Sequence, residues 1–304
     1  MALVYVTREI VGDALDRLRA AHDVVVWAQP EPPPPAELRA AVTDAEGLLC
    51  MLTDRVDQDL LDAAPRLRAI ANYAVGHDNI DLAASAARGI AVGVTPDVLT
   101  DATADLTFAL LLAAARHLPE VIAAVAAGQW STWEPKRWLG SDVHGATLGI
   151  VGFGRIGRAV ARRAEGFDMR VLATRETPLE ELLARSDFVT LHCPLTSETR
   201  HLIDARALAL MKPTAILVNT ARGPIVDQLA LGAALRAGTI GGAALDVTDP
   251  EPMPADDPLG GAPNLIVVPH IGSATYAARA RMTELAVDNL LAALDGQPMP
   301  NPVR

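Results

Sequence analysis

Three segments carry polar residues for which a packed interior has no use: Val218-Asn219-Thr220-Ala221-Arg222-Gly223, Leu245-Asp246-Val247-Thr248-Asp249-Pro250-Glu251-Pro252, and Val268-Pro269-His270-Ile271-Gly272-Ser273-Ala274-Thr275. Each begins at the end of an apolar run that reads as a β-strand. Singly, a surface arginine, a solvated glutamate and a packed histidine are ordinary. Together, at the carboxyl edge of an open parallel sheet where ligands bind, Arg222, Glu251 and His270 form a set suited to carbonyl reduction. Arg222 would hold the carboxylate of a 2-oxo acid and polarise its carbonyl, and His270 would give the carbonyl oxygen its proton. A carboxylate beside an imidazole favours the charged ring, so Glu251 would keep His270 ready as the acid.

Reduction needs a hydride source, and a fourth segment points to one. Gly152-Phe153-Gly154-Arg155-Ile156-Gly157 follows the apolar run 148–151 and opens a helix near Ile156. Glycines alone also make plain turns. In the order strand, loop, helix they let main-chain N–H groups approach a pyrophosphate at the positive end of a helix. Gly152, Gly154, Arg155, Ile156 and Gly157 are therefore candidate dinucleotide contacts, and a nicotinamide would supply the hydride. The end of the next strand selects the cofactor: a carboxylate there accepts the ribose hydroxyls of NAD, whereas a cation holds the 2′-phosphate of NADP. That strand ends in Ala173-Thr174-Arg175, with Glu176 one position later. Thr174 and Arg175 favour NADP, NAD staying possible, and the competing reading of Arg175 is an exposed loop arginine.

The elements that must position these residues alternate. Runs at 3–6, 24–27, 47–51, 67–71 and 90–92 read as strands, separated by helical stretches with apolar residues at three and four spacing, such as Ala14, Leu15, Leu18 and Ala21. Pro32 to Pro35 read as a stiff surface loop before a helix. At Thr100, a capping residue, a long helix opens over 102–117, apolar nearly all round and hence buried on several sides. Pro119 breaks it. A second helical piece runs to Ala127, and Gly128 introduces a loop with Trp130, Trp133 and Trp138. Alternation resumes with strands near 148–151, 170–173, 188–192, 215–219, 241–245 and 265–268, and a final helix covers 274–294. The pattern predicts an α/β fold of two Rossmann-like domains with doubly wound parallel sheets, one flavodoxin-like and one dinucleotide-binding. Residues 1–99 plus 274–304 would form the substrate-binding domain and 100–273 the dinucleotide-binding domain, with the active site in the cleft between them.

Composition narrows the classes. Half of the 304 residues are apolar and 21% are charged, which excludes a mainly disordered chain. The formal net charge of −11 repels phosphate backbones and anionic lipid, so neither nucleic acid nor a membrane is an expected partner. Cys50 and Cys193 have no Cys or His at metal-ligand spacing, read as buried reduced thiols, and imply no metal. The first residues reach Thr7, Arg8 and Glu9 before an export core could form. A soluble, cytoplasmic protein is expected.

The chain resembles the D-isomer-specific 2-hydroxyacid dehydrogenases, most of all their glyoxylate/hydroxypyruvate reductase branch. The resemblance spans essentially the whole chain. It rests on Asn72-Tyr73-Ala74-Val75-Gly76-His77-Asp78-Asn79-Ile80-Asp81, on the glycine loop, and on the stretches 219–227, 246–252 and 269–275. It implies that Arg222, Glu251 and His270 are catalytic and that the N–H groups of Val75 and Gly76 clamp the substrate carboxylate, with Leu52 shaping the pocket. His192 and Pro194 would line the adenosine side of the cofactor. Thr220, Ala221 and Ser273 would line its nicotinamide side, and Asp246 would position the carboxamide. It also implies a homodimer built through the helices of residues 100–127, with Trp133 reaching the partner's active site. An intrachain core contact is the other reading of Trp133. His77 is given no role.

The chain departs from the family pattern in one place. The short helix and edge strand that members carry between Arg175 and Leu179 are missing, which would open the adenine pocket. Skipping from that strand over its neighbour spans about 10 Å, and a helix of about eight residues covers about 12 Å, so the shortcut is feasible. Other small acids (phosphoglycerate, formate, phosphite) would suit the same fold, although formate and phosphite oxidation need no acid on a carbonyl oxygen. A dinucleotide-sensing co-repressor shares the fold and would be expected to add partner-binding tails.

Overall fold

A computed structural model describes residues 1–303. In chain order the elements are β1 (Leu3–Val6), α1 (Ala14–Ala21), β2 (Asp23–Val26), α2 (Pro35–Val42), β3 (Gly47–Cys50), α3 (Gln58–Asp62), β4 (Ala69–Asn72), α4 (Leu82–Ala87) and β5 (Ala91–Gly93). There follow α5 (Thr100–Ala115), α6 (Leu118–Ala126), β6 (Thr147–Val151), α7 (Arg155–Glu165), β7 (Arg170–Ala173), α8 (Leu179–Arg185) and β8 (Phe188–Leu191). The chain ends with α9 (Ala205–Leu210), β9 (Ile216–Asn219), α10 (Gln228–Ala237), β10 (Gly242–Leu245), β11 (Leu265–Val267) and α11 (Tyr276–Leu294). Every expected strand is present, with ends shifted by one or two residues where hydrogen bonding rather than apolar content sets the boundary. Helix α5 begins at Thr100 itself, so the cap expected there lies inside the helix.

The chain forms two compact units, Met1–Leu99 with Ala274–Arg304, and Thr100–Ser273. The first holds a five-stranded parallel sheet in the order β2-β1-β3-β4-β5. Its inner strands β3 and β4 are buried at every position, the signature of a parallel sheet covered on both faces. Helix α11 packs on this sheet. From its buried face the Asn289 side chain donates to the Val94 carbonyl and accepts from the Asn301 N–H, and Tyr73 donates its hydroxyl to the Arg279 carbonyl.

The second unit holds a six-stranded parallel sheet, β11-β10-β9-β8-β6-β7. Helix α5 lies against it with Phe108, Leu111 and Ala115 in the core beside Leu148, Ile150 and Val218. Strand β7 is an edge. Residues 174–178 turn directly into α8, whose 7 residues carry the chain past β6 to β8. The turn holds no strand, and the shortcut expected from the sequence is what the topology contains. Among the described residues no single helix is long and apolar enough to cross a membrane. Helices α5 and α6 reach that length together but are bent by 61°, and α5 is largely core. Cys50 is buried, whereas Cys193 is only half-buried; both are free thiols.

Candidate active site

Strands β9, β10 and β11 deliver their following loops to one edge of the six-stranded sheet, because all three run parallel in register. Asn219, the last residue of β9, is 1% exposed. Its amide accepts from Ala221 N–H and donates to the Arg222 carbonyl, which fixes the turn carrying Arg222. The next residue, Gly223, lies so close to the Thr248 carbonyl that a Cβ there would collide with it. The Arg222 turn and the loop leading to Glu251 are therefore in contact, and only glycine permits it.

His270 Nδ1 lies 2.5 Å from Glu251 Oε1. The two side chains are 21% and 31% exposed, open enough to meet a ligand and sheltered enough to hold one geometry. With Nδ1–H donated to the carboxylate, Nε2 is left as the nitrogen able to deliver a proton. His270 sits in the left-handed region at φ 52°, a conformation costly for a residue with a Cβ unless its surroundings enforce it. The enforcement comes from Asp246 just past β10. Its carboxylate accepts from Ile271 N–H at 2.6 Å and Gly272 N–H at 2.9 Å, and its carbonyl accepts from His270 N–H at 2.9 Å. Asp246 is 1% exposed. Burial raises its carboxyl above the usual range and Glu251 pushes it further, while the Ile271 N–H, His270 and the Gly272 N–H draw it back.

Two residues that sequence reasoning passed over back these loops. Thr103 donates to the Gly272 carbonyl, and Thr107 shares a 3.0 Å hydrogen bond with Thr220. Both are buried on α5. Their signal was a pair of threonines at one-turn spacing inside an otherwise apolar helix, where a hydroxyl needs a partner. Gln228, at the start of α10, accepts from Asp249 N–H and steadies the approach to Glu251.

The glycine loop has the shape its spacing predicts. Gly152 has φ 93°, and a Cβ there would strike the Cys193 main chain; one on Gly157 would strike the Gly152 carbonyl. Gly154, the N-cap of α7, faces open space. Its N-cap residue, Gly154, has no side chain to cap that helix, and the first-turn N–H groups of a helix left so are the donors an anion can use. Thr174 accepts from Gly152 N–H at 3.0 Å, which makes it a brace of the glycine loop as well as a candidate contact. Arg175 is exposed. His192, beside that loop, bonds Thr190 through Nε2, while its Nδ1 is buried without a partner; burial pushes the ring pKa down to about 3. Open Gly154, uncapped α7 and the orphaned His192 nitrogen fit a dinucleotide. Pro194 follows on the same loop, its carbonyl accepting from Thr199, and half-buried Ser273 ends the unit.

Leu52, Val75 and Gly76 belong to the other unit, on the turns after β3 and β4, all half-buried. Trp133 is 81% exposed, which rules out the core contact within its own chain.

Residues 108–272 match the NAD-binding domain of the D-isomer specific 2-hydroxyacid dehydrogenases, and the chain belongs to that family. A glyoxylate reductase of Korarchaeum cryptofilum is 48% identical over 98% of this chain and 94% of its own length. A protein of Thermus thermophilus of solved structure is 51% identical and superposes with a TM-score of 0.94, covering 99% of this chain and all of its own. An NADPH-dependent glyoxylate/hydroxypyruvate reductase of Sinorhizobium meliloti, solved with NADP and malonate, is 34% identical with a TM-score of 0.88, covering 99% and 96%. The alignment with the Korarchaeum relative runs over 313 positions, more than the 304 residues of this chain, so that relative carries residues this chain lacks.

Proposed function

We propose that this protein reduces a small 2-oxo acid, glyoxylate or hydroxypyruvate, to the 2-hydroxy acid with NAD(P)H. The observation that carries the reading is the 2.5 Å Glu251–His270 pair set beside the Arg222 turn, at the sheet edge that also holds the glycine loop. When bound, the nicotinamide supplies the hydride to the carbonyl carbon. Arg222 orients the carboxylate and polarises the carbonyl. His270 releases the Nε2 proton to the carbonyl oxygen as charge develops there, and Glu251 stabilises the ring before and after transfer. Asp246 and Thr220 hold loops that would frame the nicotinamide, and Ala221 and Ser273 would border it.

The substrate carboxylate is assigned to the main-chain donors of the other unit. Val75 and Gly76 N–H donate to no acceptor among the described residues, as a carboxylate clamp requires, and Leu52 shapes the pocket. The preference for NADP over NAD rests on Arg175, a cation with no carboxylate in its place at the end of β7; the Sinorhizobium relative bound NADP. A homodimer is supported by the apolar face of α6, where Leu118, Ile122 and Val125 are exposed, with Trp133 offered to the partner's site. No buried residue anchors α6 to its own chain, and so much exposed apolar surface calls for a cover. Cytoplasmic location is part of the same reading.

The test is a panel of 2-oxo acids with both cofactors. Glyoxylate and hydroxypyruvate should lead, NADPH should serve better than NADH, and light scattering should give twice the chain mass. Preference for bulky aliphatic or aromatic acids would refute the substrate assignment.

A further inference from the structure

The turn after β4 is held by more than its backbone. Asn72, the last residue of that strand, is 0% exposed. Its amide nitrogen donates to the Gly76 carbonyl at 2.8 Å and to Asn79 Oδ1 at 3.1 Å. Asn79 returns a bond to Asn72 Oδ1 at 3.3 Å, and the same nitrogen reaches the Met51 carbonyl at 3.1 Å and the Asp54 carbonyl at 3.0 Å. The Cys50 thiol donates to Asn72 Oδ1 as well. Two side-chain amides thus face each other and between them grip the turn after β3, residues 51–54, and the turn after β4, residues 73–79.

The network continues outward. Asp54, 3% exposed, accepts from Met51 N–H at 2.7 Å and from the Thr7 hydroxyl, which ties the end of β1 into the same arrangement. Main-chain bonds from Val56 N–H to the Asn79 carbonyl and from Asp81 N–H to the Val56 carbonyl close the frame.

The chemistry of this placement is specific. Asn72 is buried and Asn79 half-buried, and amides drawn out of water are costly to desolvate unless their donors and acceptors are matched. Here they are matched, and the residue they immobilise is a glycine. Gly76 is the most mobile residue type, and its own N–H, like that of Val75, has no partner among the described residues. Two free donors on a glycine turn discriminate an anion only if the turn is fixed before the anion arrives.

We infer that Asn72 and Asn79 are positioning residues that preorganise the Val75–Gly76 donors for the carboxylate of the substrate. This inference rests on the assignment of those donors to the substrate carboxylate. The pair touches neither hydride nor proton transfer, so its loss falls on recognition of the carboxylate and not on the chemical step.

The experiment compares glyoxylate with methyl glyoxylate, which keeps the reacting aldehyde and lacks the anion. kcat/KM for both is measured in the unaltered protein, in Asn72→Asp, in Asn79→Asp and in Gly76→Pro, with Val75→Pro as a second donor deletion; cofactor Kd and thermal melting report on folding. The unaltered protein should prefer the acid. Each asparagine variant should narrow the acid-over-ester ratio about tenfold, chiefly through KM for glyoxylate, as expected for weakened hydrogen bonds to a charged group. If both donor deletions leave the ratio unchanged, the carboxylate assignment is wrong and the inference falls with it. If the donor deletions narrow the ratio but both asparagine variants keep it, the inference alone is overturned. It is overturned equally if the asparagine variants lose acid and ester turnover alike, or fail to fold, for the pair is then only a structural staple.

Discussion

The loop that carries His270 and the strand end that carries Arg175 belong to one sheet and are built on opposite principles. The first is tied from all sides. Asp246 takes the N–H groups of residues 270 to 272, Thr103 holds the Gly272 carbonyl, and Glu251 fixes the ring. The second is a turn of residues 174–178 at the sheet edge, closed by main-chain bonds from Glu176 and Thr177 to the Ala173 carbonyl and tied to the glycine loop through Thr174, with Arg175 exposed. A proton donor must occupy one position within a fraction of an ångström, whereas a cation meeting a phosphate works through a long-range field and tolerates slack. The contrast teaches where the molecule needs rigidity and where charge alone suffices.

Substitutions can break or sharpen that contrast. The largest effect is expected for His270→Ala, which should lower glyoxylate turnover about a thousandfold while NADPH affinity, measured by fluorescence titration, stays unchanged. Equal loss of cofactor affinity would remove the acid role. Glu251→Gln keeps the shape but withdraws the charge, so kcat should drop about a hundredfold with little change in KM. Asp246→Ala leaves the Ile271 and Gly272 N–H donors without their acceptor, and thermal melting should show a loss of about 2 kcal/mol, accompanied by slower turnover as the left-handed His270 relaxes. Unchanged melting would mean that the loop is held by something other than that carboxylate.

At the looser end the effects shrink. Arg175→Ala should raise KM for NADPH about tenfold and leave that for NADH unaltered, since one exposed charge contact to phosphate is removed. A matched rise for both cofactors would detach Arg175 from cofactor choice. The smallest effect is a pH dependence. His192 is neutral in the folded chain down to about pH 3, while its unfolded counterpart takes a proton near pH 6.5. The unfolded state therefore gains protons first as pH falls. The stability that His192 contributes is full above pH 6.5 and is lost between there and about 3. Between pH 7 and 5.5 the difference between the unaltered protein and His192→Gln should be about 1 kcal/mol in chemical denaturation.

Much of this was legible before folding. Apolar runs spaced by amphipathic helices give the strands of both sheets, because parallel strands buried on two faces must be continuously apolar. The shortcut between Arg175 and Leu179 was readable too, and α8 bridges it as helix rise and strand spacing allow. Residues such as Glu251 and His270 stand out in the sequence because charge and imidazole are conspicuous beside strands. Thr103, Thr107 and the two asparagines do not stand out, since a hydroxyl or amide gains meaning only from the partner opposite it.

The sequence by itself determined the elements, their order and the residue types able to do the chemistry, for these follow from local propensity and periodicity. Only the tertiary structure decided that Glu251 meets Nδ1 of His270, that Asp246 holds the loop on which His270 stands, and that Asn79 reaches the carbonyls of Met51 and Asp54 on the turn after β3. Such pairings join positions distant along the chain. They are set by strand order and register, and no spacing in the sequence encodes them directly.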